Sequence, residues 1–256
     1  NRKRVSWLPV TSDQLRVEKD IFMSEKKMIL MSGNEAMAEA AICAGLKFYA
    51  GYPITPQNEL TAYMADQLPQ RGGVFIQSES EVAAINMVFG AAAAGARAMT
   101  SSSSPGISLK QEGISYIAAA QLPAGILNVM RAGPGLGNIW PAESDYFQAT
   151  KGGGHGDYRL IVLAPGSVQE SYDLTKRAFG LAEQYRMPVM ILSDGMLGQM
   201  MEGLAVDPDE RPLAPVEKPW ALTGAAGRAP NVVRSLFMSR DDVEKNNIVL
   251  QKKYRR

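Results

Sequence analysis

From about residue 27 to residue 200, short apolar runs alternate with segments of helical periodicity, and this alternation limits the chain to few architectures. The runs are "KMILM", "KFYAGYP", "GVFIQ", "ARAMTS", "AGILNVM", "RLIVLAP" and "PVMILSD". Most are continuous rather than alternating in polarity, the pattern of strands buried on both faces of a parallel sheet. Helices are predicted between them at 34–44, 56–68, 79–94, 107–120 and 167–186. Strand–helix alternation of this kind predicts a doubly wound α/β fold, a mainly parallel sheet with helices on both faces. The second helix carries a start signal, with Thr55 as cap and Pro56 at the first helical position. Leu60, Met64 and Leu68 recur every four residues and should face the core.

Beyond about residue 203, "AVDPDERPLAPVEKPW" holds four prolines and predicts an extended connector. A charged helix is expected after it, opened by Ser239 with Asp242 three residues on. The expected organisation is a tail over 1–25, an α/β domain over 26–203, and a connector with a helical arm over 204–256, a following domain being absent. Met23 is a plausible natural start, and "NRKRVSW" lacks the apolar centre of a secretory signal.

Composition narrows the function. A net charge of +1 argues against a dedicated nucleic-acid or acidic-membrane binder, and no run approaches the length that crosses a bilayer. The lone cysteine, Cys43, cannot form an internal disulfide, so a reducing, cytoplasmic setting is expected. It also cannot hold an iron–sulfur cluster, and the single histidine, His155, excludes a multi-histidine metal site. No metal site is expected in this chain.

Several segments carry candidate chemistry. In "QSESEVAAINMVFGAAAAGA", Ser78 and Glu81 fit a capping box. Glu81 also shares a helix face with Ile85 and Val88, so it points toward apolar packing, while Glu79 points toward solvent. A carboxylate in an apolar site can take part in proton chemistry near neutral pH, so Glu81 reads as a cap or a catalytic group. "GYPITP" and "NVMRAGPGLGN" both follow strands, where a parallel sheet presents ligands. Thr55 reads as a cap or a ligand hydroxyl there. Arg131 reads as a surface charge or a fork for a carboxylate. The glycines of "GPGLGN" do not keep the dinucleotide spacing. "TSSSSPG" could cap a helix or bind an anion. Asp194-Gly195 in "SDGMLG" lacks the preceding glycine of a G-D-G metal motif.

Taken in order, "GNEAMAEAAICAG", "YPITP", "QSESEVAAINMVFGAAAAGA", "TSSSSPGISLKQEGISY", "NVMRAGPGLGN" and "DYFQATKGGGHGDYRLIVLAP" resemble the alpha subunit of 2-oxoacid:ferredoxin oxidoreductases over roughly residues 28–255. The likeness is greatest to the branched-chain type acting on 3-methyl-2-oxobutanoate, with the 2-oxoglutarate type next. The resemblance implies a thiamine diphosphate-binding fold of which this chain is the pyrimidine module. It implies an enzyme that joins a 2-oxoacid and coenzyme A to give acyl-CoA and CO₂, with electrons passed to ferredoxin. In such enzymes a helix-borne glutamate pairs with N1′ of the aminopyrimidine. The matching residue is Glu81, nine residues before Gly90. Thr55 and Arg131 match the family's substrate-contacting threonine and arginine, the arginine holding the substrate carboxylate. The resemblance also implies partners: a beta subunit carrying the diphosphate-binding half with Mg²⁺, and gamma or ferredoxin-like delta subunits, with the iron–sulfur clusters on partner chains. Two other readings compete, a non-catalytic scaffold subunit and a free-standing nucleotide-binding protein suggested only by the glycine loops.

Overall fold

The structure, a computed structural model, describes residues 26–255; the predicted tail over 1–25, Met23 included, and Arg256 lie outside the described residues. In chain order the elements are β1 (Lys27–Ser32), α1 (Gly33–Cys43), β2 (Phe48–Gly51), α2 (Asn58–Gln70), β3 (Val74–Gln77), α3 (Glu81–Ala93), β4 (Ala98–Ser102) and α4 (Ser104–Ala119). There follow β5 (Ala124–Met130), α5 (Tyr146–Lys151), β6 (Ile161–Leu163), α6 (Val168–Tyr185), β7 (Pro188–Asp194), α7 (Gly195–Gln199), β8 (Met201–Val206) and α8 (Arg240–Tyr254).

Six strands form one parallel sheet in the order β3-β2-β4-β5-β7-β6. Its central strands are the continuous runs: every residue of β4 and β5 is buried, whereas edge strands β3 and β6 are only partly so. Side chains that alternate along the strands feed two cores. On one face Ala98, Ile126, Met190 and Leu192 pack with Ala84, Ile85 and Val88 of α3 and Ile107, Ile114 and Ile117 of α4. On the other, Met99, Leu127, Val129, Val189 and Ile191 pack with Met37 of α1, Leu60, Met64 and Leu68 of α2, and Phe179 of α6. The expected α/β fold with helices on both faces is therefore the observed one.

The α3–α4 contact depends on missing side chains. Gly106 and Gly113 lie seven residues apart on one face of α4. A Cβ on Gly113 would stand 2.4 Å from Ile85 Cγ2, and one on Gly106 would stand 2.8 Å from Glu81 Oε1. Two turns of α4 thus meet one turn of α3 at near-backbone distance.

Three local expectations are corrected. "KMILM" is not a strand of the parallel sheet: β1 pairs antiparallel with β8, a strand the sequence reading missed, and this ribbon covers a small core of Met31, Ala36, Ala40, Val168, Tyr172, Leu197 and Leu204. Thr55 and Pro56 do not open α2, which starts at Asn58 with Gln57 at its cap position. The Thr55–Pro56 bond is cis, and the pair is pinned by tertiary contacts: Pro56 packs on Gly195, its carbonyl accepts from Asn34 Nδ2 at 2.8 Å, and the Thr55 carbonyl accepts from Arg131. Ser78 does not cap α3 either. Ser80 does, accepting from the Ala83 amide at 3.2 Å, while the buried Ser78 hydroxyl donates to the Gly51 carbonyl at 3.0 Å and ties β3 to β2. Ser239 stands at the cap position of α8 but makes no capping bond. Among the described residues no helix is long and apolar enough to cross a membrane.

Candidate active site

All six strands of the sheet point one way, so their carboxyl ends share one edge. The chain leaves β2 toward β3 on one side and leaves β4 toward β5 on the other. The crevice between β2 and β4 is therefore a topological switch point, where open parallel sheets bind ligands. The loop after β2 delivers Thr55, the turn after β3 delivers Glu81, and Arg131 follows the last residue of β5.

Glu81 is the first residue of α3 and is 7 % exposed, in line with Ile85 and Val88, while Glu79 lies in solvent. Its carboxylate rests on Gly106 of α4, beside the Ser102 hydroxyl. Among the described residues no hydrogen bond reaches that carboxylate. Glu81 is largely buried as a residue, yet its carboxylate is not one of the enclosed unpartnered groups, so its hydrogen bonds are left to solvent or to a ligand.

Arg131 is 7 % exposed. Its Nη1 donates to the Thr55 carbonyl at 3.1 Å and its Nη2 to the Leu136 carbonyl at 3.0 Å. Among the described residues the buried Nε has no partner and no carboxylate forms an ion pair with the guanidinium. A fork designed for bidentate anion recognition is thus held by neutral carbonyls with donors to spare. The loop "GPGLGN" has a structural role here. It wraps around Arg131 to present the Leu136 carbonyl, which needs Gly137 at φ +63° with its Cα against the Ala132 carbonyl.

The first turn of α4 joins the two halves. Ser104 Oγ accepts from the Arg131 amide at 3.0 Å and donates to Asp145 Oδ2 at 2.6 Å, while two residues on, Gly106 meets Glu81. Asn128 completes the brace, accepting from the Ser104 amide at 3.1 Å and donating to Asp145 at 2.8 Å. This use of the Ser104 amide leaves the turn less able to bind an anion, as "TSSSSPG" had suggested it could. Asp145 and Asn128 carried no signal in the sequence, since their partners lie far away along the chain.

Thr55 is only partly buried, and its hydroxyl accepts from Asn58 Nδ2 at 3.4 Å. Structure brings Thr55 and Arg131 together through the Thr55 carbonyl. Asp194 acts as a cap, accepting from the Met196 and Leu197 amides at 2.7 and 3.0 Å. His155 is exposed, and its glycine loop packs on Gln111 of α4. Among the described residues no group of three or more His, Cys, Asp or Glu side chains is placed to hold a metal ion.

Residues 39–251 match the family described as pyruvate flavodoxin/ferredoxin oxidoreductase, thiamine diP-bdg, and the chain belongs to that family. Among particular relatives, it is 54 % identical over 227 residues to the ketoisovalerate oxidoreductase subunit VorB of Methanothermobacter thermautotrophicus, covering 89 % of this chain and 64 % of that protein. It is 51 % identical over 183 residues to the 2-oxoglutarate synthase subunit KorA of Archaeoglobus fulgidus, covering 71 % of this chain and 53 % of that protein. The chain thus spans about half to two thirds of the length of these relatives. Its fold matches the solved 2-oxoglutarate:ferredoxin oxidoreductase from Magnetococcus marinus with a TM-score of 0.72 at 31 % identity, over 89 % of this chain and 44 % of that one.

Proposed function

We propose that this chain is the subunit of a thiamine diphosphate-dependent 2-oxoacid:ferredoxin oxidoreductase that supplies the pyrimidine side of an active site shared with a partner chain. The observation that carries this reading is Glu81: a largely buried glutamate at a helix start on the switch-point edge, whose carboxylate takes no hydrogen bond from the described residues. The residues fit the cofactor. A carboxylate that takes no donor from the described residues fits the ring nitrogen of an aminopyrimidine when one proton is shared between the two, and the bare Cα of Gly106 leaves room for the carboxylate. When bound, thiamine diphosphate supplies the electron sink for decarboxylation.

Around it the chain's own residues have separate tasks. Glu81 holds or gives a proton at the pyrimidine ring nitrogen. Arg131 turns its spare donors to the substrate carboxylate, and Thr55 lines the approach beside it. The diphosphate with its Mg²⁺, and the iron–sulfur clusters that pass electrons to ferredoxin, belong to partner subunits of beta, gamma and delta type. The reaction is the oxidative decarboxylation of a 2-oxoacid with coenzyme A to acyl-CoA and CO₂, in the cytoplasm. A branched-chain substrate such as 3-methyl-2-oxobutanoate is favoured by the likeness to the ketoisovalerate subunit. The alternative, 2-oxoglutarate, is favoured by the likeness to the 2-oxoglutarate synthase subunit.

The test is to titrate thiamine diphosphate into the partner subunit with and without this chain, then to assay the complex on a panel of 2-oxoacids. Cofactor binding should require this chain, with 3-methyl-2-oxobutanoate turned over fastest. Binding indifferent to the chain would make it a scaffold. In the active complex, Arg131→Met should raise KM for the 2-oxoacid by about tenfold to a hundredfold, the loss expected for a charge-assisted hydrogen-bond pair. An unchanged KM would remove Arg131 from the substrate site.

A further inference from the structure

Lys110 is the one lysine of α4, and it is fully buried. It stands four residues after Gly106 and three before Gly113, on the same helix face that meets α3 at Glu81 and Ile85. Its ammonium has three donors, and among the described residues a single long hydrogen bond, 3.5 Å to the Ser101 carbonyl, uses one of them. Strand β4 carries more unused polarity: Thr100 Oγ1 and Ser102 Oγ, two residues apart on one face, are buried with no partner among the described residues. Ser102 Oγ lies against Gly106, as the Glu81 carboxylate does.

The other charged groups near this turn are engaged elsewhere. Asp145 takes Ser104 and Asn128, Arg131 gives to the Thr55 and Leu136 carbonyls, and Glu112 accepts from Tyr116 on the exposed side. The carboxylate left for Lys110 is Glu81, which it meets through space rather than in a contact ion pair. Burial pushes the Lys110 ammonium down to about 8, and the charge of Glu81 acts in the opposite sense. A lone buried ammonium would be worse off, so the two buried charges support each other.

We propose that Lys110 is a positioning residue for Glu81: from between the two close-packed glycines of α4 it supplies the counter-charge that lets the carboxylate stay buried at the cofactor edge. The inference rests on the reading of Glu81 as the partner of the aminopyrimidine, but the pairing itself can be tested without cofactor.

The experiment is a double-mutant cycle in the full chain, with Glu81→Gln, Lys110→Met and both together, followed by denaturant unfolding. Methionine keeps the length of the side chain and removes the charge. Glu81→Gln should destabilise the wild-type background more than the Lys110→Met background, by about tenfold in the unfolding equilibrium. Additive effects overturn the proposal. A second readout is specific to charge. Because the buried lysine titrates below the ordinary lysine value of 10.5, the unfolded chain holds more protons between pH 8 and that value. Lys110 should therefore make stability rise with pH across this window, and Lys110→Met should lose that part of the slope while Lys253, also pushed down to about 8, contributes equally in both proteins. In Glu81→Gln, where the counter-charge is gone, Lys110 should be pushed down further and the rise should begin at lower pH; a rise unmoved by Glu81→Gln also overturns it. Finally, thiamine diphosphate affinity of the assembled complex should change its pH profile in Lys110→Met; superimposable profiles deny Lys110 any influence on the site. If the cycle couples but Glu81→Gln binds cofactor normally, the proposed role of Glu81 fails and the Lys110–Glu81 pairing stands.

Discussion

Glu81→Gln in the assembled complex is expected to lower turnover of the 2-oxoacid by about 10²–10⁴-fold, the range lost when a positioned proton-transfer group is removed. Glutamine fills the same space against Gly106 but can neither carry a proton nor bear charge. Thiamine diphosphate affinity should fall with it, by about tenfold to a hundredfold, because one charge-assisted hydrogen bond is replaced by a neutral one. The control is Glu79→Gln. That residue lies in solvent two positions earlier, so its loss should leave both quantities nearly unchanged. Steady-state kinetics and calorimetric titration of the cofactor measure the two effects separately. Near wild-type turnover with normal cofactor affinity in Glu81→Gln would remove the proposed function. A loss shared equally by Glu79→Gln would point to disruption of the α3 start rather than to chemistry.

The separation of Glu81 from Glu79 was legible in the sequence because helical phase alone sorts them: Glu81 lines up with Ile85 and Val88, and all three are buried. The central strands were legible for a similar reason. Runs such as "AGILNVM" are apolar on both sides, and only an interior strand of a parallel sheet buries both. What failed was local chemistry with two equally good solutions. Ser78 fits a capping template with Glu81, and Ser80 can cap as well. The choice fell to Ser80 because Ser78 is needed to tie β3 to the Gly51 carbonyl, a partner 27 residues away. "KMILM" could not be assigned to a sheet, because an apolar run does not say which strand it pairs with, and its partner β8 lies beyond the last predicted strand. Lys110 was invisible for the opposite reason. A lysine in a helix reads as surface, and only the approach of α3 across two glycines puts it inside.

The largest stability effect is expected at Glu183, in α6. Its carboxylate takes Arg97 Nε and Nη2 at 2.9 Å each and Lys218 Nζ at 2.7 Å, in a buried cluster. The same arginine donates to the Ala44 carbonyl and to the Leu213 and Ala214 carbonyls of the proline-rich connector, and Lys218 donates to the Gly95 carbonyl. One carboxylate therefore anchors two cations that clasp the connector to the α/β domain. Glu183→Ala would strand both cations without counter-charge and should cost about 3–5 kcal/mol, the penalty of breaking a buried ion pair from one side. Limited proteolysis should then cut the connector faster, because its clasp depends on the orientation of Arg97. Acid provides an independent check. Burial pushes the Glu183 carboxyl up, but the Arg97 and Lys218 hydrogen bonds and charges outweigh it and hold the carboxyl below its ordinary value of 4.5. The stability it contributes is therefore present above that value and lost as pH falls through the lower native one. Glu183→Gln, which keeps the shape, should flatten this acid limb of the unfolding curve while lowering the neutral plateau. An unchanged acid limb would show that the cluster holds the connector by geometry alone, with the charge of Glu183 contributing nothing.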